Sequence, residues 1–356
     1  MWPWNLIALQ IVLNLLLGGA AAGTAFAANP VIITADQIGP TSDAEAALLW
    51  KDGKAEFEAH HCGASLERLT RLIARYPAHP GFTEAHRLAG ICQLEARQNA
   101  PAIASFKYYV EAQGQGVQRL PAKNLLAQAY LAAGRFSETF LLTGEVLKGG
   151  TANTPLDDST RASALLLRAR ALFGLGRKLQ AQDALESAQA LLAKSHDRDP
   201  ALQAKTRRLA LDFNLERCEQ WVKGDHLPEA DTLYQFGQRF ECLERSGLLL
   251  LDLFKAAQPA EAELGRKSFK LRWQQYLDRL SNPPALLGPQ SAKERQTQRT
   301  ELVKKLQNDA QPKIVAWLAS FKDSRKDVPG LTQPIFDQLI QDLTLAMKGR
   351  SFSGWQ

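Results

Sequence analysis

The sequence predicts an all-α protein, an α-solenoid of stacked antiparallel helical hairpins with a C-terminal helical extension. Apolar residues recur with a helical period from Ala44 onward, and no run of residues indicates a convincing strand. Pairs of small residues twelve positions apart occur in four successive segments: Gly90 with Ala102, Ala127 with Thr139, Ala169 with Ala181, and Cys218 with Ala230. Side chains this small allow two helices to approach closely, so the repeated spacing indicates an array of hairpins.

Each predicted element follows from its apolar period and its end signals. In the array, helices are expected over 44–60, 65–75, 82–97, 101–112, 120–133, 136–148, 158–174, 179–194, 201–223 and 228–245. Beyond it they are expected over 248–255, 260–280, 291–321 with an interruption at Pro312, and 334–348. Pro77 ends the second helix, because proline disfavours helix in the residue before it. Gly149 ends the sixth helix, as glycine often does at this position.

These elements divide the chain into seven segments. Residues 1–27 are a signal peptide, 28–43 an extended lead and 44–247 the hairpin array. Capping helices follow over 248–281, then a proline-containing linker over 282–290. A basic helical region covers 291–348 and a tail covers 349–356.

The assignment of the signal peptide rests on an apolar segment with a processing pattern. Leu6 to Ala27 carries no charge and ends in Ala25-Phe26-Ala27, which predicts cleavage after Ala27. Because no basic residue precedes the apolar run, an uncleaved membrane anchor is the alternative. Gln10 and Asn14 would make a poor membrane helix. The sequence therefore favours a periplasmic or secreted protein.

Export makes the four cysteines informative, because disulfides persist in oxidising compartments. Cys62 and Cys92 fall at the same end of two neighbouring antiparallel helices, so we predict that they form a disulfide. Cys218 and Cys242 flank a turn expected near 224–227, where symmetry would pair Cys218 with position 234. An offset of eight residues corresponds to about 12 Å along a helix. That distance is too long for a bridge without a kink, so their pairing stays open.

Composition and charge are those of a folded protein with one basic region. Of the 356 residues, 45% are hydrophobic and 22% are charged, and the net charge is +6. Fourteen Lys or Arg but only five Asp or Glu lie between Arg266 and Lys326. This segment could bind an anionic envelope surface or polymer, although the scattering of its charges favours solvated helix faces.

The twelve-residue pairs belong to a longer pattern. A large residue follows the first small position by three residues at Tyr130, Leu172 and Trp221, and Gly134 and Gly176 lie at the turns. This pattern resembles the tetratricopeptide repeat (TPR) family over roughly residues 44–245. Together with the predicted signal peptide, the chain resembles an exported bacterial TPR protein. The family's unit has about 34 residues. In this chain the first small position advances by 37, 42 and 49 residues, so the helices or the linkers are longer.

The resemblance implies a scaffold that binds protein or peptide partners in a concave groove lined by the first helix of each hairpin. Carried over position by position, the groove residues are Arg87, Ile91, Asn124, Gln128, Leu166, Arg170, Leu215 and Glu219. The two arginines could bind a carboxylate or an acidic peptide. The two amide side chains could bind an extended peptide backbone. The alternative is that these residues are solvated positions on helix faces.

Catalytic and cofactor signatures are absent from the sequence. It contains no phosphate-binding G-x-x-x-x-G-K-[ST], no G-x-G-x-x-G, no H-E-x-x-H and no G-x-S-x-G. We therefore expect that the protein has no enzymatic activity and binds no cofactor. A group of histidines and cysteines falls in the first two hairpins, but its spacing matches no metal motif, so we expect no metal site. Its members are His60, His61, Cys62, His79, His86 and Cys92.

Aromatic residues interleave with basic ones in the C-terminal third. Trp273 with Tyr276, and Trp317 with Phe321, could stack on nucleic-acid bases. Their spacing of three and four residues is more typical of the buried stripe of a helix, so we expect no nucleic-acid partner. The function expected is a scaffold in the assembly or maintenance of a bacterial cell-envelope complex. The alternatives are binding of an anionic surface by the basic region and an accessory role to a cell-wall glycan-processing enzyme.

Overall fold

The computed structural model describes residues 43–150, 155–194, 199–220, 226–283, 285–286 and 291–348. The predicted signal peptide, the lead as far as residue 42 and the tail lie outside the described residues. Trp221 of the repeat pattern also lies outside them, as do residues 284 and 287–290 of the predicted linker.

Nearly all of the described chain is helical. The first eight helices are α1 (Asp43–Glu58), α2 (Cys62–Arg75), α3 (Phe82–Glu95), α4 (Asn99–Ala112), α5 (Arg119–Ala132), α6 (Phe136–Lys148), α7 (Asp158–Gly174) and α8 (Lys178–Lys194). They are followed by α9 (Pro200–Gln220), α10 (Glu229–Lys255), α11 (Pro259–Ser281), α12 (Ala292–Asp323), a 3-10 turn (Ser324–Asp327) and α13 (Gln333–Lys348). Two strands of two residues each, β1 (His226–Leu227) and β2 (Ala285–Leu286), pair in parallel. They are the one departure from the strand-free prediction within the described residues.

The helices stack in the order of the chain. From α1 to α12 each helix packs against its predecessor, and the short connections make consecutive helices antiparallel. The first helices of neighbouring hairpins also pack together, α1 with α3, α5 with α7, α7 with α9, and α9 with α11, whereas α3 and α5 do not come as close. The second helices α2, α4, α6 and α8 do not pack closely against one another. The predicted solenoid of antiparallel hairpins is confirmed. Because its first helices pack together more closely than its second helices, we infer that the first helices line the inner, concave side.

Small residues at the helix crossings make this stacking possible. Ala127, Thr139, Ala169 and Ala181 are completely buried. The Thr139 hydroxyl donates a hydrogen bond of 3.3 Å to the Ala127 carbonyl, so the two positions of that pair touch. At Gly90 an added Cβ would lie 2.7 Å from the Phe106 ring, and this close approach requires glycine.

The fourth small-residue pair does not face across its hairpin, because the register of α9 against α10 differs from the expected one. Ala230 is exposed, and Cys218 is instead bonded to Cys242, with 5.6 Å between their Cα atoms. The Asn214 amide donates to the Ser246 hydroxyl at 2.8 Å, and both pairs are symmetric about residue 230. Helix α10 therefore begins about three turns beyond the end of α9. This overhang brings Cys242 level with Cys218, which the turn expected at 224–227 did not allow.

The other cysteine pair lies at the start of the array. The Cys62 and Cys92 sulfurs are bonded between α2 and α3, with a Cα–Cα distance of 5.0 Å. Within the described residues no cysteine is free. One bridge therefore joins the first hairpin to the second, and the other joins the two helices of the last hairpin of the predicted array.

The C-terminal helices depart from the predicted boundaries. The division expected at residue 247 falls inside α10, which continues through Gly247. An added Cβ at Gly247 would lie 2.7 Å from the Trp317 ring, so the glycine leaves room for this ring against the helix. Helix α12 also continues through Pro312, with Ala310 and Ile314 buried on either side of it. One core cluster joins residues of α9 to α13, so the predicted basic region shares its core with the last hairpin. Within the described residues, no helix combines the length and the apolar character that crossing a bilayer requires.

Candidate partner-binding site

Two of the predicted groove residues lie together on the concave face. Gln128 of α5 and Arg170 of α7 are both exposed, and they line one recess of about 150 Å³. Leu166 is buried but contributes to the wall of the same recess. This recess, called here the first recess, is lined by Gln128, Ser163, Leu166, Leu167, Arg170, Leu202, Lys205, Arg208, Leu209 and Glu261.

Two other predicted groove residues are buried, which corrects their expected position. The Asn124 amide is only 7% exposed and donates a 2.8 Å hydrogen bond to the Thr160 carbonyl, so it joins α5 to α7. Leu215 is 2% exposed, belongs to the large C-terminal core, and reaches the concave face only as part of the wall of a recess. Neither side chain is free to bind a peptide backbone.

The remaining three predicted groove residues are already engaged. Ile91 is half-buried against the core formed between α4 and α5. Arg87 donates to the Glu84 carboxylate at 2.7 Å, one turn away on the same helix. Glu219 forms an ion pair with Arg272 of α11. The available polar groups are therefore concentrated around α7 and α9, rather than spread along the whole array.

Among the described residues, two cations of the first recess, Arg170 and Lys205, form no ion pair. Arg208 donates to the Glu261 carboxylate at 2.6 Å and also pairs with Asp212. Within the described chain, no carboxylate oxygen lies within 4.0 Å of the Arg170 or Lys205 side-chain nitrogens. Arg170 and Lys205 can therefore bind an incoming anion without breaking an existing ion pair.

The surroundings of Arg170 partly desolvate its guanidinium, which favours the binding of an anion. Burial lowers the pKa of its guanidinium, and the like charge of Arg208 lowers it further, while Asp212 and Glu261 oppose the shift. Burial also raises the pKa of Asp212, against the opposing effects of Arg208, a hydrogen bond from Ser268 and Arg170. A partly desolvated guanidinium forms stronger hydrogen bonds to a carboxylate than one in bulk water.

A second recess lies beside the first on the same face. Its volume is about 230 Å³, and it is lined by Phe173, Asp212, Leu215, Glu216, Ser268, Leu271 and Arg272. Leu271 is 51% exposed, whereas the Phe173 ring stacks on Phe213 at a centroid distance of 4.3 Å. The second recess therefore combines a fixed aromatic wall with an exposed aliphatic side chain.

Sequence reasoning missed Lys205, Arg208 and every contribution of α11 to this face. The repeat pattern ended near residue 245, so α11 was assigned to the cap rather than to the concave side. The spacing of Lys205, Arg208 and Asp212 by three and four residues was a signal for one polar helix face. The repeat resemblance instead predicts that Leu215 and Glu219 are the groove residues of α9.

The other candidate surfaces are less suited to binding. Trp273, Tyr276, Trp317 and Phe321 are all buried in the C-terminal core, so they cannot stack on bases. Seven of the fourteen basic residues between 266 and 326 form ion pairs with carboxylates. Within the described residues, no group of three or more His, Cys, Asp or Glu side chains is arranged to hold a metal ion.

A wider groove of about 700 Å³ lies between α10 and α12, on a different face. Its rim carries both signs of charge, with Glu241, Glu244 and Arg245 on α10 and Lys313 on α12. Lys313 is paired with Asp309. This mixed rim selects no particular class of partner.

The sequence matches no protein-family model and no curated protein. Among solved structures, the chain is similar to a tetratricopeptide repeat protein from Parabacteroides merdae ATCC 43184, at 13% sequence identity and a TM-score of 0.37. The match covers 85% of this chain and 99% of that chain. The assignment of the TPR-like fold rests on the helix packing described above.

Proposed function

We propose that this protein is an exported, non-catalytic scaffold that binds protein partners through the concave face of its α-solenoid. Its role is the assembly or maintenance of a bacterial cell-envelope complex. The observation that carries the proposal is Arg170, an exposed residue whose partly desolvated guanidinium forms no ion pair among the described residues and lies in a recess between neighbouring first helices. Such a group binds a carboxylate with directional, paired hydrogen bonds.

Two features support export. The apolar stretch from Leu6 to Ala27 ends in a signal-peptidase pattern. All four cysteines are joined in disulfides, which persist in an oxidising compartment and are rare in the reducing cytosol. A protein held together by such bridges suits the periplasm or the cell exterior.

Site-specific photo-cross-linking in the native cell envelope tests this proposal. A photoreactive residue at Gln128 or Ser163 would report contacts on the concave face. The matched positions on second helices are Leu141 and Leu179, which are 64% and 84% exposed. We expect a discrete cross-linked protein from the concave positions. Cross-links that form only from Leu141 and Leu179 would show that partners dock on the outer face instead.

A further inference from the structure

The two recesses of the concave face differ in chemistry. The first contains Arg170 and Lys205, neither of which has a carboxylate partner among the described residues. In the second, the charges are compensated by neighbours: Asp212 pairs with Arg208, and Arg272 pairs with Glu216 and Glu219. The second recess therefore offers its apolar groups, Phe173 and Leu271, to a neutral side chain. One recess suits an anion and the other suits an aliphatic group.

Their sizes indicate side chains rather than a complete small molecule. The recesses measure about 150 Å³ and 230 Å³. Pockets for drug-sized ligands span roughly 300 to 1,000 Å³. Each recess therefore accommodates one side chain of a longer ligand, and a peptide can fill both at once.

The separation of the recesses follows from the helices that they share. On α9 the first recess uses residues 202–209 and the second uses residues 212–216, a shift of about eight residues, or about 12 Å at the helical rise. On α11 the shift from Glu261 to residues 268–272 is similar. An extended chain advances about 3.3 Å per residue. Side chains of an extended peptide alternate between its two faces, so two side chains four positions apart, about 13 Å along the chain, face the same way and would reach both recesses.

We propose that the concave face recognises an extended acidic–aliphatic peptide segment, an inference that rests on the proposed scaffold function. A Glu or Asp carboxylate of the partner binds Arg170 and Lys205. A Leu-sized aliphatic side chain, four residues away, fills the second recess against Phe173 and Leu271. The spacing between the two side chains provides specificity, because neither recess alone distinguishes one acidic or apolar surface from another.

Binding of synthetic peptides to the purified protein tests the proposal. The probes are fluorescent peptides that carry one Glu and one Leu, separated by one to six positions in a Ser-Thr background. We expect the highest affinity at a separation of four, and weaker binding at three and five, because odd separations turn the two side chains to opposite faces. Arg170→Glu and Leu271→Ala should each weaken the best peptide by about tenfold or more, through loss of a charge-assisted contact and of apolar burial respectively. Arg170→Glu should also prefer peptides in which Lys replaces Glu.

The controls separate this inference from the proposed function. Lys107→Glu on α4 and Leu141→Ala on α6 change exposed residues of second helices and should leave peptide affinity unchanged. Affinity independent of spacing, affinity insensitive to Leu271, or no binding at any spacing would each overturn the acidic–aliphatic inference. If cross-links from Gln128 and Ser163 persist in that case, only the peptide chemistry is wrong. If those cross-links are absent as well, the scaffold function fails with it.

Discussion

Trp273→Ala is expected to lower the free energy of unfolding by about 3 to 5 kcal/mol, as large-to-small changes of buried aromatic residues do. Trp273 is 1% exposed, and its ring lies 5.0 Å from the Trp317 ring and 6.4 Å from the Phe269 ring, measured between centroids. Removing it leaves a cavity where α11 meets α12. Because folded proteins are stable by only about 5 to 15 kcal/mol, this loss should be visible in urea unfolding followed by circular dichroism.

A matched control lies two residues away on the same helix. Leu271→Ala removes an exposed aliphatic side chain and should change the unfolding free energy by less than about 0.5 kcal/mol. The same variant is expected to weaken peptide binding, so stability and binding separate at these two positions. A Trp273→Ala protein as stable as the wild type would contradict the buried position of this ring. It would also reopen base stacking as its role.

Removing the Cys218–Cys242 bridge is expected to have the second large effect. The bond closes a loop with a sequence separation of 24 residues. By the chain-entropy relation, such a loop contributes about 3 to 4 kcal/mol to stability. We expect Cys218→Ala with Cys242→Ala to lower the free energy of unfolding by that amount. The measurement is urea unfolding of the double variant and the wild type without reductant.

Reduction of the wild type separates the contribution of the bridge to stability from that of the packing around it. After reduction, the wild type should approach the stability of the Cys218→Ala/Cys242→Ala variant, apart from the contribution of the Cys62–Cys92 bridge. The intact mass of the unreduced wild type should lack two hydrogens per disulfide relative to the reduced protein. Alkylation and peptide mapping that find free thiols at Cys218 and Cys242 would contradict the observed register of α9 against α10.

Local signals in the sequence were sufficient for most helix boundaries. The bounds predicted for α6 and α7 match the observed ones, Phe136–Lys148 and Asp158–Gly174. Gly149 follows the end of α6, and the Asp157 carboxylate caps α7 by accepting a 2.7 Å hydrogen bond from the Thr160 amide. Signals of this kind involve residues close together in sequence, so they can be identified without the fold.

Features that depend on distant contacts could not be predicted. The register of α10 depends on its contacts with α9, at Cys218–Cys242 and Asn214–Ser246, and Gly247 packs against Trp317, seventy residues later in the chain. Likewise, Leu215 was placed in the groove by carrying over a repeat position, although the chain advances by 49 residues before this hairpin. The longer advance alters how α9 meets its neighbours, and Leu215 turns into the core. Arg170 and Gln128 lie in the more regular hairpins and are exposed, and their place in a binding groove stays a prediction.

Charge reversal in the first recess tests the central claim, that partners dock on the concave face, most directly. Arg170→Glu with Lys205→Glu should be compared with Lys107→Glu and Lys148→Glu, which make the same net charge change at exposed positions on second helices. Helicity measured by circular dichroism should be unchanged in both proteins. Quantitative recovery of the partner cross-linked through Gln128 in the native envelope should fall by about tenfold or more for the concave variant only, since a favourable contact becomes a repulsive one. Equal recovery from the concave variant and the wild type would contradict docking on this face.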